Sequence, residues 1–157
     1  CAHGMRSSPM SPLTFSGPVT LELPSDPAVL FLVRALVDRL AERLGFDRRE
    51  VEQMVLAVDE ACGNVIRHAY GGRVDGRLIV TFVVKSETFE VSIRDFGEQK
   101  DPGAFQPRDL LEVRPGGLGL HFIRSAMDEA RYEHPADGGT VLRLLKRRQR
   151  SVEVDQN

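Results

Sequence analysis

Cysteine is scarce in this sequence. Cys1 and Cys62 are the only two in 157 residues, too few for a disulfide framework. Cys62 falls in a segment that reads as a helix packed on a core, so a reducing compartment is the simpler setting. No apolar run approaches the ~20 residues needed to span a bilayer, and the start lacks the apolar core of a signal peptide. The expectation is a cytoplasmic protein without a membrane partner. An excess of one charge sign is missing too: the formal net charge is −2 and the charges are mixed along the chain. Composition therefore gives no support to nucleic acid or an anionic membrane as the main partner. The basic run from Lys146 to Arg150 reads as a solvated end, and no internal repeat is found.

What is present suits one compact domain, since 157 residues with 41% hydrophobic content can bury a real core but not two. Cys1 to Gly4 precede a methionine and read as a cloning remnant. Met5 to Gly17, rich in Ser, Pro and Gly, completes a leader over 1–17 that cannot order itself by burial. The domain is expected over 18–146 and a polar tail over 147–157. Pro18 to Leu23 alternates as a half-buried strand. Ser25 or Asp26 offers an N-cap to a first helix over about 27–44, with Pro27 near its first position and Gly45 as its stop. Asp47, with Glu50 three residues on, caps a second helix whose apolar face carries Val51, Met54, Val55, Val58, Cys62, Val65 and Ala69. Gly71-Gly72 ends it.

Two β-branched runs, Arg77 to Val84 and Thr88 to Arg94, read as an antiparallel hairpin around Lys85-Ser86-Glu87. Gly97 to Pro115 reads as a long loop, Leu118 to Met127 as a third helix, and Ala130 to Glu133 with Thr140 to Leu145 as two further strands. This order predicts a two-layer α/β (α+β) sandwich, with a mixed, largely antiparallel sheet covered on one face by helices.

Four features carry potential chemistry. Glu60 and Asn64, four apart on the second helix, share a face opposite the apolar stripe. Such a pair can polarise a hydroxyl and ligate magnesium, and it is also what any solvated helix face looks like. Asp95 ends an apolar strand two residues before Gly97. A carboxylate there can accept from an exocyclic amine beside a glycine that admits a flat base, or simply start a turn. Gly116-Gly117-Leu118-Gly119-Leu120 opens the third helix, either as punctuation or as a phosphate cradle of unpaired N–H groups. Gly138-Gly139-Thr140 is a hairpin turn with a hydroxyl beside it.

Taken in order, these segments resemble the boxes of the GHKL ATPase superfamily, in the form found in anti-sigma-factor serine/threonine kinases. Glu60-Ala61-Cys62-Gly63-Asn64-Val65-Ile66-Arg67-His68-Ala69-Tyr70 is similar to the N box "EAxxNxxxHAY". Asp95-Phe96-Gly97 with Asp101-Pro102 resembles the first glycine box, Gly116 to Leu120 the second, and Gly138-Gly139-Thr140 the last. The similarity runs from about Val19 to Leu145. It departs at Gln99, where many members have a second glycine, and at Lys100, where relatives commonly have phenylalanine.

The resemblance implies the Bergerat ATP-binding fold, with ATP or ADP and Mg2+ between the helices. By motif match, Glu60 would be the catalytic base and Asn64 the magnesium ligand. Asp95 would bind the adenine amine and Gly97 would flank the base. Gly117, Leu118 and Gly119 would hold phosphate, and Thr140 would support the adenine pocket. The loop from Glu98 to Pro115 would be a lid. The implied activity is phosphorylation of a STAS-domain anti-anti-sigma protein together with sequestration of a sigma factor, by a homodimer. A nucleotide-gated anti-sigma module without catalysis is the alternative. Asp95-Phe96-Gly97 also spells the magnesium motif of eukaryotic-type protein kinases, but no HRD-type catalytic loop precedes it and the domain is too small for that fold.

Overall fold

The computed structural model describes residues 16–98 and 118–149. Most of the expected leader, the far end of the tail, the lid beyond Glu98 and the glycines Gly116 and Gly117 lie outside the described residues. The elements follow as β1 (Val19–Pro24), a 3-10 turn (Pro27–Val29), α1 (Leu30–Leu44), α2 (Arg48–Tyr70), β2 (Arg77–Val84), β3 (Thr88–Asp95), α3 (Leu118–Ala126), β4 (Glu129–Glu133) and β5 (Val141–Arg147).

The local chemistry sets the helix limits. Asp26 accepts the Ala28 N–H at 2.9 Å and Pro27 opens a 3-10 turn, so the segment expected to be helical from 27 turns α-helical only at Leu30. Gly45 closes α1 in the left-handed region at φ +87°. Asp47 and Glu50 form the expected capping box, with the Glu50 N–H donating to Asp47 (2.8 Å) and the Asp47 N–H to Glu50 (3.1 Å).

The sheet order is β1-β2-β3-β5-β4. All four pairings are antiparallel, so the described sheet lacks the parallel pair that a mixed sheet would contain. β5 runs two residues past the expected Leu145, because Asp128 takes the Arg147 N–H and the Glu87 carbonyl takes that of Arg148.

One face of the sheet is apolar: Leu78, Val80, Phe82, Val91, Ile93, Leu142 and Leu144 are buried there, with the Phe82 and Phe89 rings stacked at 6.3 Å. Val33, Val37, Met54, Val58, Cys62 and Ile123 close the same core from the helices. The opposite face carries ion pairs such as Arg143 with Glu90 (3.1 Å) and Glu133 (2.7 Å). A polar outer face needs no second helical layer, which gives the expected two-layer sandwich. α2 packs on α1 and on α3, and its C-terminal end meets the end of β3. That junction positions the site.

Candidate functional site

The apolar stripe of α2 is broader than the sequence suggests. Ala57, Ala61, Ile66 and Tyr70 are buried along with Val51, Met54, Val58, Cys62 and Val65, because α2 is covered by α1, α3 and the sheet together. Glu60 and Asn64 remain half-exposed on the free face, as their spacing predicts. They are not independent there. Arg67 donates from one nitrogen, Nη2, to Asn64 Oδ1 at 2.6 Å and to Glu60 Oε1 at 3.1 Å. A cation thus already rests on the two oxygens that the resemblance assigns to base and metal.

Gly63 explains how Arg67 reaches so far back along the helix. A Cβ on Gly63 would lie 3.2 Å from Arg67 Nη1, so the guanidinium packs closely beside the bare backbone. Glycine inside a helix costs about 1 kcal/mol relative to alanine. That anomaly in the sequence was the available signal for Arg67, which sequence reasoning left without a role.

The second cluster lies where β3, β5 and the end of α2 meet. Asp95 is only 3% exposed. Its Oδ2 accepts the Thr140 hydroxyl at 2.6 Å and its Oδ1 accepts the Gly97 N–H at 3.0 Å, while the Asp95 N–H donates to the Thr140 carbonyl at 3.0 Å. A carboxylate offers about four lone-pair sites, and two are filled here. No basic side chain pairs with Asp95 among the described residues. A buried carboxylate with spare acceptor capacity and no cation fits an incoming N–H donor such as an exocyclic amine. Tyr132 on β4 is close enough to feel it: burial, and then the Asp95 charge, hold the Tyr132 phenol above its ordinary pKa.

Two glycines keep this cluster tight. A Cβ on Gly97 would lie 2.5 Å from the Ala69 carbonyl oxygen, so the loop after β3 lies directly on the last turn of α2. Gly139, at φ +68°, would drive a Cβ into the Asp95 carbonyl. Leu118 and Gly119 open α3, whose first N–H groups lack partners within the helix. Gly117 is outside the described residues.

Magnesium is ordinarily held by one or two side chains with phosphate oxygens and waters. Asn64 Oδ1 is an oxygen of a type that suits this ion, and the Arg67 guanidinium already lies on it. Tyr70, the last letter of the N-box motif, was also overlooked. Its buried hydroxyl accepts the Phe96 N–H at 2.8 Å and donates to the Arg77 carbonyl at 2.5 Å.

The profile described as "Histidine kinase-like ATPase domain" matches residues 23–146. The chain belongs to this family. Within it, the ATPase domain is 30% identical over 124 residues to the Serine-protein kinase RsbW of Bacillus subtilis, covering 74% of this chain and 78% of that one. It is 32% identical over 126 residues to the protein of the same name from Listeria monocytogenes, covering 75% and 80%. Among solved structures it is similar to the crystal structure of the RsbU and RsbW domains of a Mycobacterium tuberculosis protein, with a TM-score of 0.61 and 22% identity. That alignment covers 87% of this chain and 34% of the longer one, and it shows the shared fold. No described helix of this ATPase domain is long and apolar enough to cross a membrane.

Proposed function

We propose that this ATPase domain is a cytoplasmic serine/threonine protein kinase of the anti-sigma type, which transfers the γ-phosphoryl group of ATP to a STAS-domain anti-anti-sigma protein and sequesters a sigma factor as a homodimer. The observation that carries the nucleotide half is Asp95: a buried carboxylate, held by Thr140 and Gly97, with acceptor capacity left for the adenine amine. The likeness to proteins named Serine-protein kinase RsbW supports the kinase half and the choice of partners.

Magnesium, when bound, screens the phosphate charge and orients the transferring group. Asn64 Oδ1 is the donor this chain offers it. Glu60 takes the proton of the attacking serine or threonine hydroxyl as the oxygen bonds to the γ-phosphorus and the bond to ADP breaks. The unpaired N–H groups at the start of α3, with Leu118 and Gly119, accept phosphate charge. Gly97 brings the backbone after β3 close to the base.

General-base assistance is worth roughly 10²- to 10⁴-fold. Glu60→Gln is therefore expected to lower transfer to a STAS-domain partner by at least about a hundredfold, with nucleotide affinity within a few-fold of the parent. Labelled ATP with both proteins reads this directly, and transfer at the parental rate would remove Glu60 from its role.

One observation favours the second reading, a nucleotide-gated binder without transfer: the Glu60 carboxylate is engaged by Arg67 rather than free. A partner that binds in the presence of nucleotide yet never becomes labelled would decide for that reading.

A further inference from the structure

We propose that Tyr70 is a positioning residue for adenine recognition, its hydroxyl fastening the loop that carries Phe96 and Gly97 to the end of α2. The inference rests on the nucleotide-binding reading above and adds a residue that the reading does not use.

The Tyr70 hydroxyl is a relay with both its roles filled. It accepts from the Phe96 N–H at 2.8 Å and donates to the Arg77 carbonyl at 2.5 Å. The residue is 7% exposed, so water does not readily replace either bond. Phe96 lies between the two residues whose groups define the amine-accepting corner, Asp95 and Gly97. Gly97 in turn donates to Asp95 Oδ1 at 3.0 Å. Fixing the Phe96 N–H therefore fixes the direction of the next N–H, and with it one of the two donors that orient the Asp95 carboxylate.

The ring is held as firmly as the hydroxyl. A Cβ on Gly76 would lie 2.5 Å from Tyr70 Cδ1 and 2.6 Å from Cε1, so the ring packs against a backbone that only glycine leaves open. Gly76 is itself tied twice to Ser25, the residue just after β1: its N–H donates to Ser25 Oγ at 2.8 Å, and its carbonyl accepts the Ser25 N–H at 2.9 Å. Ser25, fully buried, passes its own hydroxyl hydrogen to the Arg73 carbonyl at 2.5 Å. The segment between α2 and β2 is thereby stitched to the residue that follows β1, and Tyr70 carries that fixity across to the end of β3. The helix bearing Glu60 and Asn64 and the residues just after the adenine acceptor are thus joined through the Tyr70 phenol as well as by the contact of Gly97 with Ala69.

Tyr70→Phe in the full chain tests this, since it keeps the ring on Gly76 and removes only the hydroxyl. Two readouts are needed. Amide exchange at Phe96 in nucleotide-free protein is expected to speed up by at least about tenfold, with Ile93 in the middle of β3 unchanged. The preference for ATP over ITP, which lacks the exocyclic amine, is expected to fall about three- to tenfold by calorimetry with magnesium. A residue that merely stabilised the fold would weaken both nucleotides alike and leave their ratio untouched. Unchanged exchange at Phe96, or an unchanged ratio, overturns the inference. A parent chain that binds neither nucleotide overturns the underlying reading and this one with it, whereas a parent that binds while the variant behaves like it sinks the Tyr70 role alone.

Discussion

Arg67 Nη2 lies 2.6 Å from Asn64 Oδ1, the oxygen that the family resemblance assigns to magnesium. An ion held there would compete with the side chain for one acceptor. The contact is largely exposed, and exposed charge contacts are worth about 0.2–1 kcal/mol. Arg67→Ala is therefore expected to lower the magnesium concentration needed for half-maximal nucleotide binding by about two- to fivefold, most clearly at low ionic strength. Gly63→Ala should shift that midpoint the same way by crowding the guanidinium, while raising the melting temperature through helix propensity. Magnesium titrations by calorimetry check both, and an unchanged midpoint in both variants would count against the competition.

Asp95→Asn separates recognition from stability. An asparagine can still accept the Gly97 N–H through its oxygen and can donate from its amide to Thr140 Oγ1, so both present contacts have replacements. What disappears is the spare anionic acceptor. Affinity for adenine nucleotides is expected to drop by about tenfold or more, with stability within about 1 kcal/mol of the parent. Thr140→Val should instead cost about 1–3 kcal/mol in denaturant unfolding, because it leaves a buried carboxylate oxygen short of a donor.

The two turn glycines should behave differently. Both have positive φ, so alanine at either is strained by about 1–2 kcal/mol. Gly138 faces open space, whereas Gly139 presses on the Asp95 carbonyl. Gly139→Ala is expected to lose at least about 1 kcal/mol more than Gly138→Ala, and to weaken nucleotide binding as well. Equal losses would mean that the turn yields without disturbing β3.

Cys62 gives the chain a weakness at high pH. Burial, with a smaller push from Asp59, raises its thiol from 9.0 to about 12. The folded state therefore holds a proton that the unfolded state releases once pH exceeds about 9. The associated stability is complete below that pH and is lost between about 9 and 12, at about 1.4 kcal/mol per pH unit. Denaturant unfolding at pH 8 and pH 10 should show a steeper loss for the parent than for Cys62→Ala. Identical slopes would remove the thiol from the account.

Much of this was legible in the sequence because it depends on neighbours. The capping box at Asp47 and Glu50, the stop at Gly45, the β2-β3 turn and the shared face of Glu60 and Asn64 all follow from spacings of a few residues. The meeting of Asp95 with Thr140 was available only through motif order, since nothing local joins residues 45 apart. The contact of Arg67 with Asn64 lies at an ordinary helix spacing of three and was open to the sequence, whereas its reach to Glu60 spans seven residues and was not. Tyr70 escaped because its partners, Arg77 at the start of β2 and Phe96 just past the end of β3, are brought together only by the fold. The packing of Gly97 on Ala69 was hidden in the same way, since the two lie far apart in the chain.

The sheet order has a consequence in time. β5 comes last of the described elements and yet sits between β3 and β4. During synthesis, β1, β2 and β3 can pair while the inner edge of β3 still waits for residues 141–147 to emerge, and until then its N–H and C=O groups present an unfilled template. A chain interrupted before Val141 would lose an interior strand rather than a border one, with both β3 and β4 left as open edges. The domain is therefore most exposed to mispairing in the interval before β5 emerges, when the other described strands and helices have already been made.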